Sequence, residues 1–404
     1  MNYIISNIAQ LVTCSGVAAK HGKAMSDLGI IENAAVVVTK GVITYVGQVS
    51  DHLPFDHEED YETIDATGKA VLPGFIDSHT HFVFGGYREE EFSQRLRGDD
   101  YLSILQSGGG IYNTVKATRK ASFEELYAIA EARLGKMRAM GVTTVEGKSG
   151  YGLDKDTELK QLRVMKQLQL KNRMNIVSTY LGAHAVPEGY TEKTYIDFML
   201  QEMLPVIGKE NLAECCDIFC EKGVFSRKES ERFLSKAGEM GFKLKLHADE
   251  IVNTGGAELA VALGALSADH LLHVSEKGIK ALAKSNTVAT LLPCTAFSLR
   301  EHYAPGRAMI DAGCAVALAT DFNPGSCFSY SIPLTIALAC IHMKLSPEEA
   351  VTALTINAAA ALGKAGSHGS IDVGKKGDII ILEYPSYKFL PYHVGVNIVE
   401  RVIN

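Results

Sequence analysis

Apolar runs of strand length alternate with helix-like stretches through most of the chain, and this alternation constrains the fold more than any other feature. The eight runs are Val71–Ile76, Val142–Val145, Ile176–Leu181, Cys215–Cys220, Phe242–Leu246, Ala268–Leu272, Val288–Leu292 and Ala315–Ala319. Short continuous apolar runs are typical of parallel strands that are buried on both faces. Their alternation with helices favours an α/β fold, a (β/α)₈ TIM-like barrel, with an open doubly wound sheet as the alternative.

Both chain ends carry shorter strand-like runs, such as Val42–Val46 and Ile379–Leu382, separated by turn-forming residues. We expect these ends to meet in one small β-sandwich domain beside the barrel. The predicted domains are therefore a composite β domain, 1–70 with 371–404, and a barrel domain, 71–370.

The composition excludes several classes of protein. A net charge of -7 over 404 residues gives no basic surface for nucleic acid or an anionic membrane. No apolar run is long enough to cross a bilayer, and the first eleven residues lack the pattern of a signal peptide. The eight cysteines are scattered, as expected for reduced thiols. We therefore expect a cytoplasmic protein with a small-molecule substrate, and a homodimer is one assembly open to it.

Polar side chains at the ends of four predicted strands indicate a metal centre. His79 and His81 follow the first strand on the same face, about 7 Å apart along the backbone. His247, His270 and Asp321 end the fifth, sixth and eighth strands. The carboxyl ends of barrel strands meet at one rim, where barrel enzymes place their chemistry. A single such histidine is more often a hydrogen-bonded core residue, but the coincidence of positions favours a metal site.

Three histidines and one carboxylate suit zinc, and also iron. A water at such a metal, hydrogen-bonded to Asp321, becomes a nucleophile near neutral pH, which predicts hydrolysis. Glu250 could carry a proton, and His270 could stabilise a developing oxyanion. The alternative is that Glu250 and His270 only hydrogen-bond the metal ligands.

Longer motifs surround these residues and carry a family resemblance. The motifs are His79-Thr-His81-Phe-Val-Phe-Gly-Gly-Tyr-Arg88, Val145-Glu-Gly-Lys-Ser-Gly-Tyr151, Leu181-Gly-Ala-His184, His247-Ala-Asp-Glu250 and Asp321-Phe-Asn323-Pro-Gly325-Ser326. Together they resemble the imidazolonepropionases of the amidohydrolase superfamily, from about residue 70 to 370. The long motifs are specific to that family, whereas the His-x-His pair marks only the superfamily.

The resemblance implies hydrolysis of 4-imidazolone-5-propanoate to N-formimidoyl-L-glutamate, a step of histidine degradation, at one divalent or trivalent metal ion, zinc in preference to iron. It implies that the metal ligands are His79, His81, His247 and Asp321. It implies catalytic roles for Glu250, His270 and Asp321. The residues implied to hold substrate or product are Arg88, Tyr151, His184, Glu250, Asn323, Gly325 and Ser326.

The chemistry of Arg88 agrees with this substrate, because a planar guanidinium can bind a propionate through two hydrogen bonds. The alternative for Arg88 is a surface ion pair with Glu89–Glu91. Two alternative functions also stay open: the same site could act on another cyclic amide or deaminate a heterocycle, or the metal could be purely structural.

Two positions near the second strand need separate interpretation. Gly147 stands where the family is expected to carry a larger aliphatic residue, and we expect it to loosen the wall behind Lys148. Some amidohydrolases carboxylate a barrel lysine to bridge two metals, usually on strand four. Because Lys148 ends strand two, we predict a single metal and a structural or electrostatic lysine.

We interpret Cys294, at the end of the seventh predicted strand, as a packing residue.

Overall fold

The strands of the protein fall into two sheets. In the computed structural model, which describes residues 2–49, 59–98, 109–171 and 174–404, the strands in chain order are β1 (Tyr3–Val12), β2 (Ile30–Thr39), β3 (Val42–Gln48), β4 (Glu62–Asp65), β5 (Ala70–Pro73), β6 (Phe75–Asp77), β7 (Val142–Lys148), β8 (Asn175–Ala183), β9 (Cys215–Cys220), β10 (Lys243–Ala248), β11 (Ser267–His270), β12 (Val288–Leu291), β13 (Val316–Leu318), β14 (Ile379–Leu382) and β15 (Val399–Ile403). Strands β6 to β13 form one parallel sheet in chain order, and the remaining seven form the other.

The eight-stranded sheet closes on itself. Thr80, after β6, and Phe322, after β13, form a parallel bridge. Beside it, the Asp321 N–H donates to the His79 carbonyl oxygen at 3.0 Å. The predicted (β/α)₈ barrel is therefore confirmed, and its closure joins the His-x-His segment directly to the segment that carries Asp321.

Helices connect and cover the barrel strands. Their bounds are Glu89–Arg97, Ile111–Lys120, Phe123–Ala139, Lys155–Lys171, Glu192–Phe198, Leu204–Glu210, Arg227–Glu239, Gly256–Ala262, Glu276–Leu282, Pro293–Leu299, Gly306–Asp311, Ile332–Ile341, Pro347–Ala353, Ile356–Ala361 and Phe389–Tyr392, with a 3₁₀ turn at Gly22–Ser26 and a π turn at Met199–Met203. Within the described ranges, none of these helices has both the length and the apolar character needed to cross a membrane.

Both chain ends contribute to the second sheet, as the sequence predicts. Its strand order is β15-β14-β5-β1-β2-β3, with β4 also paired to β1, and it mixes parallel and antiparallel pairs. Its buried residues form a separate cluster: Tyr3, Ile5, Ile8, Leu11, Ala34, Val36, Val38, Ile43, Ile64, Ala66, Val71, Ile371, Ile379, Ile381 and Ile403. We call this unit the chain-end sheet.

The first predicted barrel strand is divided between the two sheets. The sequence predicts one strand over Val71–Ile76, but β5 pairs with β1 and β14 in the chain-end sheet, whereas β6 pairs with β7 in the barrel. Gly74 lies between them, and its N–H donates to the Asp378 carbonyl oxygen at 2.9 Å. Both halves are apolar, so the pattern alone did not reveal the break. The domain division at residues 70 and 71 lies beside it and remains a proposal.

Candidate metal centre and substrate site

Three imidazoles converge at the carboxyl end of the barrel. His79 and His81 follow β6, His247 lies in β10, and one nitrogen from each ring lies within 4.8 Å of the other two. Asp321 follows β13, and its Oδ1 lies 3.5 Å from His79 Nε2 and 3.6 Å from His81 Nε2. All four side chains are buried. The structure therefore brings together the four residues predicted to be metal ligands.

The state of these imidazoles fits a metal ion. Nε2 of His79 and Nε2 of His247 are buried and lack a hydrogen-bond partner within the described part of the chain. A buried polar atom left in this state costs about 1–3 kcal/mol, which coordination of a metal would offset. Burial holds the pKa of His79 and of His81 well below the usual value, so both rings are neutral, the form that binds metal.

Two aspartates hold the opposite nitrogens of two of these rings. Asp269, in β11, lies with its Oδ2 2.7 Å from His79 Nδ1, and Asp217, in β9, lies with its Oδ2 3.0 Å from His247 Nδ1. The hydrogen bond to Asp269 places the proton of His79 on Nδ1 and leaves its Nε2 facing the other imidazoles, whereas the contact between Asp217 and His247 is close but lacks hydrogen-bond geometry. The sequence pattern gave no role to Asp217 or Asp269.

Asp321 is held with one oxygen free for the centre. The Thr295 hydroxyl donates to Asp321 Oδ2 at 2.7 Å, which leaves Oδ1 facing the imidazoles. Burial raises the pKa of the Asp321 carboxyl to about 6. Asp321 and His270 both adopt left-handed backbone, with φ of 50° and 78°. Such conformations cost about 1–3 kcal/mol each and tend to cluster at functional sites.

Glu250 and His270 lie together at the same rim. Glu250 Oε1 is 3.4 Å from His270 Nδ1, and the His270 ring centroid is 5.1 Å from that of His247. Burial, followed by the charges of Asp321 and Glu221, raises the pKa of Glu250 to about 8. Glu250 therefore carries a proton at neutral pH and can act as an acid.

Tyr151 and His184 form an aromatic wall next to the centre. The His184 ring stacks on His81 with centroids 5.1 Å apart and planes 17° apart, and the Tyr151 ring lies 5.2 Å from His184. His184 Nδ1 lies 3.2 Å from the Gly150 carbonyl oxygen, which fixes the ring. These two predicted substrate residues therefore line the space beside the proposed metal ligands with two rings inclined at 60° to each other.

Arg88 forms an ion pair with Glu91, which was the alternative to a role in binding substrate. Its side chain also reaches the loop after β13. Its Nε and Nη2 lie 2.8 and 2.7 Å from Glu91 Oε2. A Cβ added at Gly325 would come within 2.2 Å of Arg88 Nη1, so a larger residue there would displace the guanidinium. The pair with Glu91 uses one edge of the guanidinium and places Nη1 against the loop that follows Asp321.

Asn323 organises that loop. Its Oδ1 accepts from the N–H groups of Gly325 and Ser326, both at 2.8 Å, and its Nδ2 donates to the Ser326 hydroxyl at 2.8 Å. Asn323, Gly325 and Ser326 thus form one hydrogen-bonded turn beside Arg88.

Comparisons with known proteins agree with this geometry. A model of the amidohydrolase family matches residues 62–103 and 101–394. An imidazolonepropionase of Parabacteroides distasonis is 63% identical over 402 residues, which cover 99% of this chain and 97% of the relative. One from Clostridium tetani is 60% identical and covers 100% of this chain and 96% of the relative. The chain belongs to the imidazolonepropionase family.

Solved structures of lower identity share the fold. A triazine hydrolase from Arthobacter aurescens has a TM-score of 0.75 at 17% identity, over 100% of this chain and 93% of its own. An adenosine deaminase from Xanthomonas campestris, determined with bound zinc, has a TM-score of 0.73 at 18% identity, over 99% and 91%. The fold of this imidazolonepropionase-family chain is therefore that of amidohydrolases.

The structure changes the interpretation of Gly147 and agrees with that of Cys294. Gly147 does not leave an open wall, because a Cβ there would come within 2.6 Å of the Phe82 ring and 3.0 Å of the Met165 sulfur. The Phe82 ring thus occupies the space that a larger residue would take. Cys294 lies in a buried cluster with Cys327 and Leu338, in agreement with a packing role.

Proposed function

We propose that this protein hydrolyses 4-imidazolone-5-propanoate to N-formimidoyl-L-glutamate in histidine degradation. The observation that carries the proposal is the convergence of His79, His81, His247 and Asp321 at one rim, in a chain 63% identical to an imidazolonepropionase. The reaction class follows from the site, because a metal held by three histidines and a carboxylate is suited to hydrolysis.

The proposal includes one metal ion, zinc in preference to iron, held by His79, His81, His247 and Asp321. An ion of this kind lowers the pKa of water and supplies a nucleophile near neutral pH. Because the Thr295 hydroxyl holds only Oδ2 of Asp321, its Oδ1 would be free to accept a proton from the attacking water.

We assign orientation of the substrate to residues around the centre. The anionic propionate would meet Nη1 of Arg88 and the turn formed by Asn323, Gly325 and Ser326. The imidazolone ring would contact the Tyr151 and His184 rings, whose planes are 60° apart. A charge-assisted hydrogen bond at one end and ring contacts at the other would hold the lactam carbonyl in a single orientation.

The reaction then needs one bond formed and one broken. Water oxygen adds to the lactam carbonyl carbon, the ring C–N bond breaks, and the departing nitrogen takes a proton. His270, buried at the rim with a low pKa and thus neutral, can donate its ring N–H to the developing oxyanion. Glu250, protonated at neutral pH, can deliver the proton to the nitrogen.

An absorbance assay with freshly prepared substrate tests this function. We expect the imidazolone band to decay in proportion to enzyme, with N-formimidoyl-L-glutamate as the product. A matched panel of cyclic amides without a propionate should react far more slowly. Equal rates across the panel, or deamination of a heterocycle in preference to imidazolone hydrolysis, would contradict the assignment. The cytoplasmic location and the homodimer stay predictions.

A further inference from the structure

A layer of buried charges lies directly beneath the metal ligands. Its members are Glu146, Lys148, Asp217, Lys245 and Asp269, all of them 0% exposed. They come from strands β7, β9, β10 and β11 and contact one another inside the barrel. Apart from the contacts of two aspartates with imidazoles, the proposed reaction uses none of these groups. Buried charges at this density are costly unless they are paired, so their arrangement calls for a reason.

Lys148 lies at the centre of the layer. Its Nζ is 2.6 Å from Asp217 Oδ2, 3.0 Å from Glu146 Oε2 and 3.6 Å from Asp269 Oδ2. Burial lowers the pKa of Lys148, but the surrounding carboxylates outweigh it and raise that pKa above the ordinary value. The side chain is therefore an ammonium ion. Carboxylation requires a neutral amine, so these contacts support the predicted single-metal site.

A second group of residues in this layer has the spacing of a metal site, but lysines already neutralise it. One ligand atom from each of His79, Glu146 and Asp269 lies within 4.8 Å of the others. Lys245 Nζ lies 3.3 Å from Glu146 Oε2 and 3.7 Å from Asp269 Oδ2, and Lys148 contacts the same two carboxylates. Two ammonium ions thus supply the positive charge that a second metal ion would bring.

We propose that Lys148 is a positioning residue for the metal centre. Its ammonium group ties Asp217 to Asp269, and these aspartates hold Nδ1 of His247 and of His79. One side chain therefore fixes two ligand imidazoles that come from opposite sides of the barrel. The inference rests on the proposed metal centre and names a residue that acts on it without contacting the ion.

Lys245 provides a matched comparison. It has the same burial and charge as Lys148 and contacts Glu146 and Asp269, while its Nζ also donates to the Ser78 carbonyl oxygen at 3.1 Å. Its contacts lie on the His79 side of the layer. If the layer needed only positive charge, replacing either lysine would have the same effect. If the imidazoles are positioned through both aspartates, replacing Lys148 should have the larger effect.

The test compares Lys148→Met with Lys245→Met by zinc affinity, measured against a competing chelator. Loss of a group that orients metal ligands typically costs about 10–100-fold in affinity, and we expect that loss for Lys148→Met. For Lys245→Met we expect a loss within about threefold, since its described contacts include Asp269, at 3.7 Å, but not Asp217, which Lys148 contacts at 2.6 Å. The visible spectrum of the cobalt-substituted protein should change in Lys148→Met. Equal losses in the two variants would overturn the proposal.

Because Lys148→Met leaves a carboxylate uncompensated, a charge-balanced variant keeps the test decisive if the single variant does not fold. Lys148→Met with Glu146→Gln removes one charge of each sign, and we expect it to fold and still lose zinc affinity. A wild-type affinity and cobalt spectrum in this variant would overturn the proposal.

Nitrogen-15 NMR of the wild-type metal-free protein gives a readout that needs no variant. His79 and His247 should both carry their proton on Nδ1, and mixed tautomers would contradict fixed positioning. Failure of the wild-type protein to bind zinc would instead overturn the proposed function.

Discussion

The barrel mouth and the apolar cluster of the chain-end sheet are both buried, yet they bury opposite kinds of side chain. Beneath the barrel mouth the buried set includes Glu146, Lys148, Asp217 and Asp269. The cluster of the chain-end sheet consists of aliphatic residues and one tyrosine. Replacing a buried ion pair by apolar residues is often neutral or stabilising, so the charges in the barrel are poorly explained by stability. They are explained by the imidazoles of the proposed metal centre, which two of the carboxylates contact.

This difference separates the expected effects of substitution. A buried Ile side chain contributes about 1.5–3 kcal/mol to folding by leaving water, so changes in the chain-end sheet should alter stability alone. Changes at the barrel mouth should alter metal binding or turnover. The following predictions test that separation, from the largest effect to the smallest.

The largest effect is expected at a metal ligand. His247→Ala should remove one of three converging imidazoles, release the metal, and lower kcat/KM by about 1,000-fold or more. Metal analysis and the absorbance assay measure the two effects. His273→Ala, which changes a histidine that packs against His302 away from the ligands, is the control and should retain both. A His247→Ala protein with full activity and no bound metal would contradict the assignment of metal binding and turnover to the barrel mouth.

A smaller effect, with a distinct pH signature, is expected at Glu250. Loss of a general acid costs about 100- to 10,000-fold in rate, and Glu250→Gln should lower kcat within that range. The raised pKa of about 8 sets the direction of the pH dependence. Below this pH Glu250 holds a proton that it can donate, and above it the carboxylate has none. The kcat of the wild type should therefore fall as pH rises through about 8. The kcat of Glu250→Gln should not fall over this pH range. If the fall persists in the variant, another group causes it.

A change in substrate affinity is expected at Arg88. Loss of a charged hydrogen bond is worth about 1.5–3 kcal/mol, so Arg88→Ala should raise KM by roughly 10- to 100-fold with a smaller change in kcat. Arg163→Ala breaks a half-exposed pair with Glu210 and should leave the kinetics unchanged. An unaffected KM in Arg88→Ala would favour a substrate without the propionate.

The smallest effect is expected in the chain-end sheet. Ile379 in β14 is fully buried in the aliphatic cluster, and Ile379→Val should lower the free energy of unfolding by about 1 kcal/mol. Denaturant unfolding measures the loss, and metal content and kcat/KM should match the wild type. A change in turnover without a loss of stability would show that the two regions are coupled.

The sequence predicted most of the barrel and the convergence of the proposed metal ligands, because both depend on local pattern. His79 and His81 alternate along one segment, and His247 and Asp321 follow apolar runs of strand length. The (β/α)₈ order then places the ends of those runs at one rim. It could not locate the break at Gly74, since residues on both sides are equally apolar and only the pairing partners differ.

The supporting charges were harder to predict because their roles depend on contacts between strands. Asp217 and Asp269 lie inside apolar runs, and each faces an imidazole from a different part of the chain. A local signal existed for Lys245, since it alternates with leucines and shares a face with His247. For Lys148 the sequence gave only its place at the end of the second strand, and its three carboxylate partners come from the fold.

Metal titration of the chelator-treated protein tests the central claim most directly. The account predicts that hydrolysis of imidazolone stops on chelation and returns in proportion to added zinc, reaching its maximum at one ion per chain. Substrate turnover at an undiminished rate in protein shown by metal analysis to be free of zinc and iron would contradict it.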